Sequence, residues 1–162
     1  MLFNSYEFLL VFLPVSLGCY YAISRIVNQR TAIAWLALCS MFFYGWWNPA
    51  YVWLMAGSIL ANYSFGLILS GKHRSRLVLG LSVTLNLLLL GYYKYTDFFI
   101  ANINELAGLD WPLHNIILPL GISFFTFTQI AYLADCYKGI VKERNPIHYL
   151  LFITYFPHLI AG

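Results

Sequence analysis

Charged side chains in this sequence are confined to short segments that separate long uncharged stretches. The longest of these stretches, Thr31–Gly71, contains 41 residues without any Asp, Glu, Lys or Arg. Inserting a charged side chain at the centre of a bilayer costs about 2.5–3.5 kcal/mol. The absence of charged residues over such a length is therefore typical of membrane-spanning segments. The composition agrees, since 61% of the residues are hydrophobic and 9% are charged, whereas a soluble domain has roughly 25% charged residues. The sequence therefore predicts an integral membrane protein.

The apolar stretches predict an all-α, polytopic membrane protein with about six transmembrane helices. A spanning helix needs roughly 17–25 apolar residues, so the longest stretch must contain two helices. Asn48-Pro49 separates them, because proline lacks a backbone donor. The predicted spans are Phe8–Ser24, Thr31–Trp47, Ala50–Gly71, Leu77–Tyr93, Ile116–Tyr132 and a last span that begins at Asn145-Pro146.

Two segments depart from a simple row of spanning helices. The fifth span is expected to be kinked or partly re-entrant, because Pro119 and Gly121 interrupt it near its start. The segment Lys94–His114 has apolar residues at helical spacing and polar residues on the other faces. This pattern predicts one amphipathic helix that lies at the membrane surface.

The basic residues predict the orientation of the spans. With the N-terminus outside, eight of the nine Lys and Arg residues fall on the cytoplasmic side, and Lys94 alone lies outside. Such a bias in short loops sets the topology of multi-pass proteins. The same clusters would suggest nucleic acid binding in a soluble protein, but beside apolar spans they are topology signals. No nucleic-acid partner is therefore expected.

The fifth span carries most of the polar side chains that could serve a site. Thr128, Tyr132 and Asp135 recur at steps of four and three residues, so they share one helix face, and Gln129 lies on a neighbouring face. Inside the bilayer, each of these polar groups needs a hydrogen-bonding partner from the protein. Two interpretations follow. The side chains line a cavity or substrate path, or they make ordinary interhelical hydrogen bonds, with Asp135 paired to Lys138.

The histidines differ in their surroundings. His158 follows Pro157 within the last apolar stretch, and an ionisable group inside a membrane is a functional candidate by default. Proton transfer and structural hydrogen bonding both explain its position. His73, His114 and His148 lie in or beside the polar segments, so they are expected to be solvated or interfacial.

No residue pattern indicates a metal site, a bound cofactor or an activated nucleophile. Cys19, Cys39 and Cys136 are far apart and lack the spacing of metal ligands. The chain also lacks a glycine-rich phosphate loop and a serine in a nucleophile elbow. From the residues alone, no catalytic residue is assigned.

Several segments, taken in order along the chain, carry a resemblance to a known family. They are MLFNS at 1–5, FLP at 12–14, FYGWW at 43–47, LGYYKY at 90–95, LPLGISFFTF at 118–127, IAYLADCYKG at 130–139 and FPHLIAG at 156–162. Together they resemble the bacterial membrane-bound O-acyltransferases, and among these the alginate O-acetyltransferase branch most closely.

The resemblance implies an enzyme of the bacterial inner membrane that moves an acyl group from a cytoplasmic thioester, such as acetyl-CoA, to an exported polysaccharide such as alginate. Membrane lipid, the polysaccharide and periplasmic acetylation proteins are the implied partners. The essential histidine of the family belongs to a Trp-His-Gly-like stretch much further along the chain, and no histidine here matches it. Residues 1–162 are therefore expected to be the N-terminal part of a single transmembrane domain and to be inactive alone.

A membrane transporter, or a scaffold subunit of a polysaccharide export complex, is the alternative function. Polar, interrupted helices such as the fifth span also occur in transporters. An inverted repeat of the spans further along the chain would favour transport, whereas the Trp-His-Gly-like stretch would favour acyl transfer.

Overall fold

The computed structural model of the chain describes residues 5–71, 75–141 and 145–155. Within these ranges the fold is all-helical and contains no strand, as predicted. The helices are α1 (Leu13–Ile26), which continues a π-helical turn at Phe8–Phe12, α2 (Gln29–Trp47), α3 (Pro49–Leu69), α4 (Arg76–Ala107), α5 (Ile122–Lys138) and α6 (Pro146–Thr154). The candidate His158 lies outside the described residues.

Asparagine side chains begin three of these helices. The Oδ1 atom of Asn48 accepts a hydrogen bond from the backbone N–H of Ala50 at 3.0 Å, and Asn145 accepts one from Ile147 at 2.9 Å. In both cases proline follows as the first helical residue, where its missing N–H would have no helical partner. Asn28 caps α2 in the same way. The boundaries predicted at Asn48-Pro49 and Asn145-Pro146 are confirmed.

Three helical segments are long and apolar enough to cross a membrane, namely Phe8–Ile26, Pro49–Leu69 and Arg76–Ala107. This finding supports the prediction of a membrane protein. Among the described helices, these three are long and apolar enough to count as spans. The number of six crossings therefore stays a prediction.

The predicted surface helix is not a separate element. Helix α4 runs without a break from Arg76 through Lys94 to Ala107 and ends at Gly108, which has a φ of 63°. A helix of 32 residues is about 48 Å long, whereas the hydrocarbon core is roughly 30 Å thick. Lys94 and Asp97 do not interrupt the helix, because charge alone does not break helical hydrogen bonding and neither glycine nor proline occurs between Lys94 and Ala107. The prediction erred by treating the first charge as a helix end.

The fifth predicted helix lies at different positions from those expected. The predicted range was Ile116–Tyr132, whereas α5 covers Ile122–Lys138. Residues 109–121 are not helical, and Gly121 adopts a φ of 64° just before α5 begins. Proline and glycine therefore delay the start of this helix instead of placing a kink inside it.

The non-helical segment before α5 is held by side chains of α4. Asn104 pairs with the backbone of Trp111 in both directions, at 2.8 and 3.0 Å. The two carboxylate oxygens of Asp97 accept hydrogen bonds from the N–H groups of His114 and Ile116, each at 2.9 Å. These bonds satisfy backbone groups that a helix would otherwise pair.

Helix α5 packs against α3, α4 and α6, while α2 packs against α1, α3 and α6. The main buried cluster lies where these helices meet. Its members are Tyr44, Met55, Ile59, Leu90, Ile122, Phe125, Tyr149 and Ile153. This packing places the polar side chains of α5 inside the helical assembly.

Candidate functional site

Gln129 lies at the centre of a buried cluster of polar side chains. Its side chain is fully buried, and its Oε1 atom accepts hydrogen bonds from Ser58 Oγ at 2.7 Å and from Asn62 Nδ2 at 2.8 Å. Ser58 and Asn62 both belong to α3. An amide buried without partners is costly, so these two bonds fix the position of α5 relative to α3.

Asn62 also binds Asn86 of α4 through a reciprocal pair of hydrogen bonds. Asn62 Nδ2 donates to Asn86 Oδ1 at 3.1 Å, and Asn86 Nδ2 donates to Asn62 Oδ1 at 2.6 Å. Asn86 Nδ2 further donates to the carbonyl oxygen of Ser82 at 2.8 Å. We call Ser58, Asn62, Asn86 and Gln129 the amide cluster. The cluster joins α3, α4 and α5 by hydrogen bonds. These bonds restrict how far the three helices can slide along one another.

Sequence reasoning placed Gln129 near a site but missed Asn62 and Asn86. Each is a single amide within a long apolar stretch. Because polar groups at membrane depth need internal partners, such isolated amides are themselves a signal of interhelical hydrogen bonding. That signal would have found both residues, although not their pairing.

Two polar atoms of α5 retain hydrogen-bonding capacity in this core. In the described part of the chain, Gln129 Nε2 and Thr126 Oγ1 are buried and have no hydrogen-bond partner. The two residues are three positions apart on α5, so they share one side of the helix. Polar groups of this kind are suited to bind a buried water molecule.

Thr128 faces a different part of the structure. Its hydroxyl donates to the carbonyl oxygen of Phe124 at 2.8 Å, a bond within its own helix. The side chain also lines a cavity of about 420 Å³ whose walls come from α2, α5 and α6. Ile33, His148 and Phe152 are among the other lining residues.

Tyr132 and Asp135 line a second cavity of about 260 Å³, which we call the α5–α6 cavity. The remaining lining residues are Ala131, Val141, Asn145, His148, Tyr149 and Phe152. The ring of Tyr132 packs on Tyr149, with 4.2 Å between centroids, and its other neighbours include the backbone of Gly66. His148 and Phe152 line both cavities, so the two adjoin.

Asp135 lies at the wall of the α5–α6 cavity. Its half-buried carboxylate lines that cavity, whereas the Lys138 side chain is exposed. An exposed ion pair contributes little to stability, and the pairing of Asp135 with Lys138 stays a prediction.

The structure thus separates the predicted site residues into two groups. Thr128, Tyr132 and Asp135 line the adjoining cavities toward α6, whereas Gln129 joins the amide cluster toward α3 and α4. His148, expected at the solvated edge, is half-buried between the cavities. Among the described residues, no group of three His, Cys, Asp or Glu side chains could hold a metal ion.

Comparisons with known proteins bear on the family. No family model matches the sequence, and no solved structure matches it. The whole chain is 39% identical to the peptidoglycan O-acetyltransferase of Helicobacter pylori, of which it covers 36%. It is also 39% identical over its whole length to the protein named probable alginate O-acetylase AlgI of Pseudomonas aeruginosa, of which it covers 32%.

A more distant similarity covers part of the chain. The teichoic acid D-alanyltransferase of Bacillus subtilis is 42% identical over 52 residues, which are 32% of this chain and 13% of that protein. The chain spans about a third of the length of the two O-acetyltransferases it matches throughout. Its resemblance to the membrane-bound O-acyltransferases is confirmed over its whole length.

Proposed function

We propose that this chain is the N-terminal part of a single transmembrane domain whose whole protein transfers acetyl groups to an exported polysaccharide. The observation that carries the proposal is the 39% identity over the whole chain to two O-acetylating proteins with different glycan substrates, peptidoglycan and alginate. Similarity to both favours a common acetyl-transfer chemistry.

The role of the described residues in this reaction is that of a wall and a scaffold. Acyl transfer needs a base near the accepting hydroxyl and donors for the developing oxyanion. The amide cluster uses most of its donors and acceptors to join α3, α4 and α5. Its rigidity would position the helices that border the reaction, while the base comes from the family's Trp-His-Gly-like stretch elsewhere in the whole protein.

The reactants would approach from opposite sides of the membrane. The acyl donor would be a cytoplasmic thioester such as acetyl-CoA, and the acceptor a hydroxyl of a polysaccharide outside. In the reaction the hydroxyl oxygen forms a bond to the acyl carbon, the carbon–sulfur bond breaks, and the hydroxyl proton passes to the base. Periplasmic acetylation proteins and membrane lipid complete the proposed partners, with the inner membrane as the location.

The proposed topology has six crossings, with the N-terminus outside. We expect a reporter enzyme that is active only in the periplasm to be active when fused after Asp110 and silent when fused after Arg74, because the basic loops remain in the cytoplasm. A fluorescent protein that folds only in the cytoplasm should give the reverse pattern at the same two positions. Activity after Arg74 and silence after Asp110 would contradict the orientation.

Acetylation itself tests the function. In cells from which the gene is deleted, we expect the whole reading frame to restore O-acetyl groups and residues 1–162 alone to restore none. Loss of a general base removes about 10²–10⁴ in rate, and the bordering helices would be lost as well. O-acetyl groups should be quantified separately on peptidoglycan and on exopolysaccharide, which also identifies the acceptor. The proposal fails if the whole frame restores acetylation of neither glycan.

A further inference from the structure

We propose that Trp111, together with the carboxylates of Glu105 and Asp110, binds sugar rings of an uncharged glycan in preference to those of a polyuronate. We call these three residues the Trp111 platform. The inference rests on the proposed function, because it assigns a surface to the acceptor and takes the end of α4 at Ala107 to lie outside the membrane. It narrows the acceptor to glycans whose rings carry no carboxylate.

The backbone of Trp111 is fixed by a side chain of α4. Asn104 Oδ1 accepts a hydrogen bond from the Trp111 N–H at 3.0 Å, and Asn104 Nδ2 donates to the Trp111 carbonyl oxygen at 2.8 Å. Pro112 follows and restricts the backbone of residue 111 further. The Trp111 side chain is nevertheless 54% exposed. Because its backbone is already ordered, a ligand that covers the indole loses less binding energy to ordering the chain.

The length of α4 puts this platform above the bilayer. A hydrocarbon core of roughly 30 Å corresponds to about 20 helical residues, which extend from Arg76 to about Tyr95. Asn104 then lies about 13 Å further along the helix, whereas the headgroup layer is roughly 5–8 Å thick. A typical tilt of roughly 20° lowers Asn104 by only about 3 Å. Trp111, which is bonded to Asn104, is therefore placed in the water outside the membrane.

Other aromatic residues of α4 occupy the interface itself. Tyr92, Tyr95, Phe98 and Phe99 are exposed where the helix leaves the hydrocarbon core, and aromatic side chains at this level are typical membrane anchors. Trp111 lies beyond them, so anchoring in the interface does not explain its exposure. A ligand that arrives from the water does.

The chemistry of the Trp111 platform suits a sugar. The flat apolar face of an indole packs against the C–H face of a sugar ring, while its N–H remains available to donate a hydrogen bond. Glu105 follows Asn104 in the chain and Asp110 precedes Trp111, so both carboxylates belong to residues next to the two clamped positions. Both residues are exposed. Carboxylate oxygens accept hydrogen bonds, and sugar hydroxyls donate them.

The charges near the platform select against a polyuronate. The sequence contains no Lys or Arg between Lys94 and Lys138. Lys94 precedes Glu105 by about 17 Å along α4, and its Nζ atom lies 3.5 Å from Ser123 Oγ, to which it donates. Because the Debye length is about 8 Å at physiological ionic strength, the charge of Lys94 does not offset the two carboxylates. A glycan with a carboxylate on every ring would be repelled, whereas an uncharged glycan would not.

The test measures oligosaccharide binding by isothermal titration calorimetry on the full-length protein in phosphatidylcholine nanodiscs, because detergents with sugar headgroups would compete. The first probe is the tetrasaccharide of N-acetylglucosamine. We expect Trp111→Ala to weaken its binding about tenfold, since one aromatic contact is lost, and Trp111→Phe to weaken it less. Trp53→Ala removes an indole that is 81% exposed on α3 and should leave binding unchanged. Equal affinity of Trp111→Ala and the wild type, or no binding by the wild type, would overturn the proposal.

A second probe keeps the test decisive if Trp111→Ala fails to fold. At low salt, the wild type should bind the tetrasaccharide of mannuronate at least about tenfold more weakly than the first probe, because like charges repel. The double variant Glu105→Gln with Asp110→Asn should reduce that difference. Equal affinity of the wild type for the two probes would overturn the proposal. So would quenching, by lipids with brominated acyl chains, of the fluorescence that Trp111→Phe removes, because Trp111 would then be a membrane anchor.

Acetylation is measured separately from binding. Binding of the first probe through Trp111, without acetylation of any glycan by the whole protein, would reject the proposed function and retain this site. In an active protein, an unchanged KM for the acceptor in Trp111→Ala would reject the site and retain the function.

Discussion

The Gly66→Val variant of the full-length protein is expected to lose about 2–3 kcal/mol of stability, near the upper end for overpacking of a filled core. A Cβ atom at position 66 would lie 2.5 Å from Cε1 and 2.7 Å from the hydroxyl oxygen of Tyr132. The ring cannot easily swing away, because it packs on Tyr149 with 4.2 Å between centroids. The thermal unfolding midpoint in detergent and the monodisperse fraction after size-exclusion chromatography measure the effect.

Gly57→Val is the matched control for this variant. Gly57 lies on the same helix, α3, and a Cβ atom there would meet nothing within 4 Å. Its substitution should therefore leave the unfolding midpoint nearly unchanged. Adding Tyr132→Leu to Gly66→Val should recover part of the loss, because a smaller side chain frees the space. Equal midpoints for the two glycine variants would contradict the close packing of Gly66 on Tyr132.

The Asn62→Leu variant is expected to cost about 2–3 kcal/mol, since it removes the hydrogen bond that the buried Asn86 Oδ1 atom accepts and one of the two that Gln129 Oε1 accepts. Asn62 exchanges two hydrogen bonds with Asn86 and donates a third to Gln129. Interhelical hydrogen bonds in membranes average only about 0.6 kcal/mol each. The larger expected loss comes from the partners left unsatisfied. The same unfolding measurement applies.

Two further variants separate this explanation from a general intolerance of leucine. Asn102→Leu removes an amide that donates only to the carbonyl oxygen of Phe98 in its own helix, so its effect should stay within about 0.5 kcal/mol. The double variant Asn62→Leu with Asn86→Leu should lose less than the sum of the single losses, because replacing both partners by apolar groups removes the unsatisfied atoms. Additive losses would show that the two asparagines do not act as a pair.

Much of the helical organisation was predictable because it depends on neighbouring residues. The boundaries at Asn48-Pro49 and Asn145-Pro146 were confirmed, since a cap is formed by an asparagine side chain and the backbone two residues later. The membrane character was predictable for a similar reason, because hydropathy sums over a continuous window. The resemblance to a family also followed from short segments that remain recognisable without any structure.

Other features were decided by residues far apart in the chain. Helix α5 begins at Ile122 and not at Ile116, in part because Asp97 of α4 holds the backbone of His114 and Ile116. The pattern of apolar residues in the segment before α5 cannot predict this contact with Asp97, because Asp97 belongs to another helix. The prediction of one helix from Ile116 failed for this reason.

In the candidate site, too, some features depend on neighbouring residues and others on residues far apart in the chain. The sequence placed Thr128, Tyr132 and Asp135 on one face of a helix, and this followed from helical geometry alone. Only the tertiary structure turned that face toward α6 and brought His148 beside it. The amide cluster joins residues 24 and 67 positions apart. A hydrogen bond of that kind depends on the packing of whole helices, which no local pattern of residues determines.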